Sequence, residues 1–564
     1  MNAPPVSSPP AVAPERGDVV NVAACLPQIA AAQPERLALA EPAGAGGRYR
    51  ELTYRQLDEQ SDQVARGLAA IGIGQGVRAV LMVPPGPHFF SLAFGMAKAG
   101  VVPVMIDPGL PRKHLAACID EAAPEAFIGS PKAHVARALF GWGQRTVGMN
   151  VVVGGSRVWG GRAGVSWSEV LRRGAEARGP ALAPTRAEDV AAILFTSGST
   201  GVPKGAVYTQ ANFAAQVAAI REIAGLGDAE IDLPTFPLFA LFDPALGMST
   251  VVPQMDFTRP ARANPRRILR ALTARRVTNM FASPALLRTL VRYAVPAGER
   301  VWGLRRIVSA GAPVSPALVK ELLQLMPNGK VVTPYGATEA LPVAVIESDE
   351  ILRVGARSAA GQGICVGRPV AGVDVAIIPL HDEPIGVWRD ELRLPPPTRG
   401  EIVVRGPQVT RSYWGRPQAD ALAKIPTADG VGFWHRMGDV GAFDDEGRLW
   451  FCGRKAHRVV LADGHVLFSV ACEGVFNAHP AVRRSALVGV TLGGETHSIV
   501  CVERDPAAGA WPRLATALRA LGQACPETQR IHHFLAHPGF PVDIRHNAKI
   551  DREALALWAR GRVS

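Results

Sequence analysis

Cysteine is scarce in this 564-residue chain and badly placed for crosslinking. The seven residues Cys25, Cys118, Cys365, Cys452, Cys472, Cys501 and Cys525 are scattered, odd in number and form no C-x-x-C pair. This argues against a disulfide framework and a cysteine zinc site, and it fits a reducing compartment. No apolar run reaches the ~20 residues that a bilayer-crossing helix needs, so no transmembrane segment is expected. Residues 1–18, rich in proline, alanine and serine, lack the charged-then-apolar order of a secretory signal and read as a flexible tail. The expected location is the cytoplasm. Basic charge is plentiful, a formal +12, but it is dispersed arginine with no dense Lys/Arg block interleaved with aromatics. Nucleic acid is therefore not the expected partner. An anionic nucleotide substrate accounts for the surplus more simply. Internal repeats are lacking as well.

With 48% hydrophobic and 20% charged residues the chain is globular, and its length calls for two or more domains. From Val19 onward, helical stretches alternate with short apolar strands, the pattern of an α/β fold. Arg55–Ile73 carries Leu57, Val64, Leu68 and Ile71 at helical spacing. Strands are expected at RAVLMVPP, VVPVMID, VAAILF and AVYT, with helices at HFFSLAFGMAKAG and ANFAAQVAAIREIAG. The glycine-rich stretch 141–164, with its two tryptophans, reads as a long surface excursion. Ser315 and Pro316 suit the N-cap and first position of a helix. A β-rich part follows the prolines of RLPPPTRGEIVVRGP. Beyond Arg454 the texture changes to a small α/β segment. The expected domains are residues 19–455, an α/β assembly with a β-rich part, and residues 456–564, a small mobile lid.

The stretch ILFTSGSTGVPKG, Ile193–Gly205, packs three glycines, two serines, two threonines and a lysine behind an apolar run. Glycines permit close backbone approach, successive N–H groups can cradle an anion, and Lys204 adds charge. The spacing does not fit the phosphate loop G-x-x-x-x-G-K-[ST], and a plain hairpin loop between strands also fits. SAGAPVS (Ser309–Ser315) and PYGATEA (Pro334–Ala340) come next. Tyr335 offers a flat face for a purine, Thr338 a hydroxyl and Glu339 a hard oxygen for Mg²⁺ beside phosphates. A buried tyrosine and a surface glutamate are the plainer reading. Within FWHRMGDVGAFDDEGRLWFCGR, Phe433–Arg454, Asp439 could accept two vicinal ribose hydroxyls, or be a surface acid in a glycine-rich turn. Lys549, in FPVDIRHNAKIDREAL, is a compact point charge of the kind that stabilises attack of a carboxylate on phosphorus, or a solvated lysine.

These four strings, in this order, resemble the adenylate-forming superfamily of acyl-CoA synthetases, luciferases and nonribosomal adenylation domains. The resemblance runs from about Val19 to the end. It implies that ATP is bound with Mg²⁺ and that its β- and γ-phosphates are wrapped by a mobile loop of Thr196, Ser197, Gly198, Ser199, Thr200, Gly201 and Lys204. It implies further that Gly311, Ala312, Pro313 and Tyr335, followed by Gly336 and Ala337, surround the adenine. Thr338 would meet the α-phosphate, Glu339 the metal, Asp439 and Arg454 the ribose, and Lys549 the first half-reaction. Together, Lys549, Glu339, Asp439 and Arg454 argue against a catalytically silent binding protein.

Three departures stand out. Ala240 occupies the place where the acyl-site motif usually has histidine. Asp243 is a carboxylate among apolar neighbours. Ala456 stands at the hinge position, where Asp or Lys is usual. The density of Phe236, Phe239, Phe242 and Met248 favours an alkyl chain over an amino acid. The strings FPLFALFDPALGMSTVVPQMDFTRPARANP and PVDIRHNAKIDR are similar to those of the olefin-biosynthesis β-lactone synthetases. That resemblance implies activation of a long-chain 2-alkyl-3-hydroxyalkanoic acid as acyl-AMP. The acid's own hydroxyl then displaces AMP to close a four-membered ring, in company with other olefin-pathway enzymes. Asp243 could take the hydroxyl proton, or be a structural carboxylate. A fatty acyl-CoA or acyl-carrier ligase is the alternative.

Overall fold

The computed structural model describes residues 17–44, 47–86, 88–107, 110–196, 203–227, 229–236, 238–542 and 550–563. The chain forms two compact units. One comprises Met1–Gln254, Thr338–Pro342 and Gly406–Pro417; the other comprises Met255–Ala337, Val343–Arg405 and Gln418–Ser564.

In the first unit, Gly164–Ser166, Met149–Val152, Ala126–Gly129, Arg78–Met82, Val102–Ile106, Val190–Thr196 and Lys204–Thr209 make one seven-stranded sheet in that order. All neighbours are parallel except the last pair, which is antiparallel. The continuous apolar runs noted in the sequence suit strands buried on both faces. Val80, Val104, Phe127 and Ile193 are fully buried in one cluster with the helix Arg112–Ala122, each side chain contributing about 1.5–3 kcal/mol of transfer free energy. The helix expected over Arg55–Ile73 runs from Tyr54 to Ala70. A capping box of Thr53 and Gln56 starts it. A second group of strands, Ile231–Pro234, Ser249–Val251 and Leu37–Pro42, is parallel, with Tyr49–Thr53 antiparallel at its edge.

One expectation fails here. Residues 141–164 are not a surface excursion throughout, because Met149–Val152 is an inner strand of the seven-stranded sheet with Asn150, Val151 and Val152 buried. Flanking glycines hid a four-residue apolar strand, too short to show a period.

In the second unit, Asn279–Phe281, Arg306–Val308 and Lys330–Ala337 are parallel. Helix Pro316–Leu325 starts as expected, the Ser315 hydroxyl accepting the Leu318 N–H with Pro316 at its first position. The β-rich part is an antiparallel succession of Asp374–Ile378, Gly400–Arg405, Phe433–Phe443, Leu449–Arg454 and Ile364–Pro369. Residues 456–563 carry their own three-stranded sheet, Val482–Leu492, Glu495–Arg504 and His533–Ala536, and their own apolar clusters. The α/β class with a small C-terminal domain is thus present. All seven cysteines are free. Among the described residues no helix is long and apolar enough to cross a membrane.

Candidate active site

The glycine-, serine- and threonine-rich loop springs from the end of the strand Val190–Thr196 and returns as Lys204–Thr209, with Thr196 paired to Lys204. Ser197, Gly198, Ser199, Thr200 and Gly201 lie outside the described residues. Gly205 has a steric reason to be glycine, since a Cβ there would come within 2.9 Å of Ile193 and 3.0 Å of the Phe195 ring. Lys204 Nζ sits 5.1 Å from the centroid of the Tyr413 ring. Tyr413 is brought there by the segment running beside the returning strand: Val207 N–H donates to the Ser412 carbonyl at 3.0 Å, and Trp414 N–H to the Gly205 carbonyl at 2.7 Å.

The Tyr413 hydroxyl in turn donates to Glu339 Oε1 at 2.8 Å. Thr410 N–H donates to the Glu339 carbonyl at 2.8 Å. Two expected catalytic residues, Lys204 and Glu339, therefore share one buried tyrosine that sequence reasoning did not single out. Thr338 is held on the same unit, its carbonyl accepting the hydroxyl of Tyr208. Glu339 offers a hard carboxylate oxygen suited to Mg²⁺. Among the described residues no group of three or more His, Cys, Asp or Glu could hold a metal. The pair of facts fits an ion that takes one carboxylate from the protein and the rest of its shell from phosphates and water.

From Tyr208 a row of aromatic rings leads to the expected acyl-site residues. Tyr208 stacks on Phe213 at 4.9 Å between centroids, Phe213 meets Phe242 at 6.2 Å, Phe242 meets Phe239 at 6.3 Å, and Phe239 meets Phe236 at 5.5 Å. Met248 is buried nearby in sequence, its carbonyl accepting the Tyr54 hydroxyl at 2.6 Å. Ala240 is fully buried. Asp243 opens the short helix Asp243–Leu246. Its Oδ2 accepts the Thr250 hydroxyl at 2.7 Å. Burial, followed by the charge of Asp232, pushes its carboxyl well above the usual range. Burial thus favours the neutral carboxyl, which suits a hydrogen-bonding role more than that of a base.

The second unit assembles the residues expected around adenine and ribose. Gly311 takes a left-handed backbone conformation, φ +89°, in the loop that carries Ala312 and Pro313. Tyr335, Gly336 and Ala337 end the strand Lys330–Ala337. Asp439 and Arg454, 15 residues apart, face each other directly across an antiparallel pair of strands. Arg454 Nη1 lies 3.0 Å from Asp439 Oδ1. The Tyr335 hydroxyl donates to Asp439 Oδ2 at 2.6 Å, and the Tyr335 ring lies 6.0 Å from that of Phe451. Asp439 itself is buried. Burial and the neighbouring Asp439 charge raise the Tyr335 phenol well above its ordinary value, so it stays a donor.

Ala456, the expected hinge position, lies in a single 3-10 turn, Lys455–His457. Lys455 Nζ reaches Glu401 Oε2 at 3.2 Å, and Arg458 Nη2 reaches Asp382 Oδ2 at 2.6 Å. Lys549 lies outside the described residues.

Comparison with known proteins gives the wider setting. A family model described as AMP-binding enzyme matches residues 26–414. The chain is 49% identical over 550 residues to an olefin beta-lactone synthetase of Xanthomonas campestris, covering 96% of this chain and 97% of that one. It is equally 49% identical over 553 residues to an olefin beta-lactone synthetase of Stenotrophomonas maltophilia, covering 96% and 98%. Among solved structures it resembles an amide bond synthetase from Marinactinospora thermotolerans, with a TM-score of 0.76, 22% identity and coverage of 95% and 99%, a likeness of fold. The chain belongs to the AMP-binding enzyme family and, within it, to the group that contains the olefin beta-lactone synthetases.

Proposed function

We propose that this protein is an ATP-dependent, AMP-forming β-lactone synthetase acting on a long-chain 2-alkyl-3-hydroxyalkanoic acid. The observation that carries the reading is the near-full-length identity of 49% to two olefin beta-lactone synthetases. The row of rings from Tyr208 to Phe236 supports an alkyl-chain substrate, and the Tyr335–Asp439–Arg454 cluster supports a nucleotide.

In the first step the acid's carboxylate oxygen attacks the α-phosphorus and pyrophosphate leaves. Tyr335 and the Gly311–Pro313 loop flank the adenine, and Asp439 with Arg454 binds the ribose hydroxyls. Thr338 donates to the α-phosphate, while Lys204 and the loop of residues 196–201 hold the β- and γ-phosphates. Glu339 would hold Mg²⁺, which would supply charge neutralisation at the phosphates. Lys549 approaches on the lid, residues 456–564, hinged at Ala456, and stabilises the charge that develops at phosphorus.

In the second step the 3-hydroxyl oxygen attacks the activated carbonyl carbon and loses its proton, and AMP departs with one former carboxylate oxygen. Adenylation replaces a poor leaving group with a good one. Holding the hydroxyl against the carbonyl makes ring closure unimolecular, so positioning supplies much of the barrier reduction. Tyr208 joins the two halves physically, its ring at one end of the aromatic row and its hydroxyl on the backbone of Thr338.

The test is purified protein with ATP, Mg²⁺ and a 2-alkyl-3-hydroxy acid, without coenzyme A. Equal amounts of AMP and β-lactone are expected. Product that appears only when coenzyme A is added assigns the protein to the thioester-forming ligases instead.

A further inference from the structure

The helix Pro131–Phe140 packs Ala133, Ala136 and His134 inward, with His134 Nε2 2.9 Å from the Val151 carbonyl. Its outer side carries large apolar residues, with Val135, Leu139 and Phe140 exposed by 39%, 73% and 45%. The 3-10 segment Arg157–Ala163 packs beside this helix and adds Val158 and Trp159, exposed by 76% and 53%. A Cβ on Gly155, in the turn leading into that segment, would come within 2.5 Å of the Pro131 ring, so the two elements adjoin closely. Large side chains are exposed singly on most proteins. Five of them on two adjoining elements mark an interaction surface.

Charge says what kind. Residues 126–168 contain no aspartate or glutamate, yet carry Lys132, Arg137, Arg145, Arg157 and Arg162. Lys132, Arg157 and Arg162 are exposed around the apolar residues. Arg112, from the neighbouring helix, places its guanidinium 5.0 Å from the centroid of the Phe140 ring. Leucine, phenylalanine and tryptophan on elements that carry cations and no acid of their own are what an anionic lipid surface selects. The apolar side chains enter the boundary between headgroups and acyl chains while the cations meet phosphate.

We propose that this face, centred on Leu139 and Trp159, docks the protein on a bilayer that carries anionic headgroups. The inference rests on the surface alone and holds whatever reaction the active site performs.

The experiment is co-sedimentation of the full chain with vesicles of phosphatidylcholine alone or mixed three to one with phosphatidylglycerol, at low and high salt. Binding to the mixed vesicles that weakens with salt, and is much weaker on phosphatidylcholine, is expected. Leu139→Glu/Trp159→Glu should abolish it. Arg157→Glu/Arg162→Glu, which leaves the apolar residues intact, should weaken it at least five-fold for each cation removed. Trp302→Glu, at an exposed site in the other unit, should leave it unchanged. A melting curve by circular dichroism that matches the parent's identifies variants that remain folded. Failure of the parent to bind the mixed vesicles overturns the proposal, and so does undiminished binding by both folded patch variants. Self-association of the parent that Leu139→Glu/Trp159→Glu removes, without vesicle binding, overturns it in favour of a second copy of the chain.

Discussion

The Tyr335 hydroxyl donates to Asp439 Oδ2 at 2.6 Å, joining the residue expected beside adenine to the one expected on ribose. Arg454 holds the other oxygen of the same carboxylate. Each residue thus has a structural duty besides the nucleotide contact proposed for it: Tyr335 fixes the orientation of the Asp439 carboxylate. A hydrogen bond to a charged group is worth about 1.5–3 kcal/mol, so Tyr335→Phe should raise the KM for ATP by about ten-fold or more. Because the ring remains, kcat should change much less. Steady-state pyrophosphate release over a range of ATP concentrations separates the two.

A second tyrosine does comparable work in the other unit. Tyr413 touches Lys204 with its ring and Glu339 with its hydroxyl. Tyr413→Phe keeps the ring against Lys204 but releases the carboxylate, and adenylation should fall by about ten-fold. Glu339→Gln removes a charged ligand and should raise the Mg²⁺ concentration needed for half-maximal rate. Titrating Mg²⁺ at saturating ATP checks both.

How much of this was legible in the sequence depends on whether a residue signals alone or in a string. The strands on either side of the glycine- and hydroxyl-rich loop were legible as apolar runs. Asp439 and Arg454 were singled out through the order of their motifs, and the structure supplies the reason for their spacing: they are partners across a hairpin. Ser315 with Pro316 predicted a helix start from local chemistry alone. Tyr208 and Tyr413 were not legible, since their contacts reach 130 and 74 residues along the chain, and Thr250, seven residues from Asp243, was not legible because no local pattern marks it. The buried strand Met149–Val152 escaped notice for a related reason. Its burial is decided by neighbours on both sides in the sheet, not by its own four residues.

Asp243 separates two readings of ring closure. If it took the proton from the 3-hydroxyl, Asp243→Asn would cost about 10²–10⁴ in lactone formation. Its burial beside Asp232 and its bond from Thr250 favour the structural role, so activity should stay within a few-fold. Stability gives an independent check. The carboxyl titrates near pH 3.9 when unfolded and well above that when folded. From about pH 4 upward the folded state keeps a proton that the unfolded state has released, and stability declines as pH rises towards the folded value. Asp243→Asn removes that dependence. Its Tm should fall less than the parent's between pH 5 and pH 8, as differential scanning calorimetry would record.

Lys549→Ala should cut adenylation by about 10²–10³, the loss expected for one preorganised charge-stabilising group. Stopped-flow pyrophosphate release is the measurement, and parental rates would remove Lys549 from the first half-reaction.

The most direct test of carboxyl activation follows oxygen atoms. With a 3-hydroxy acid carrying ¹⁸O at both carboxylate positions, each turnover should leave one ¹⁸O in AMP and one in the lactone carbonyl, with the ring oxygen unlabelled. Unlabelled AMP with both labels retained in the lactone would mean that the hydroxyl, not the carboxylate, had been activated, and would contradict acyl-AMP formation.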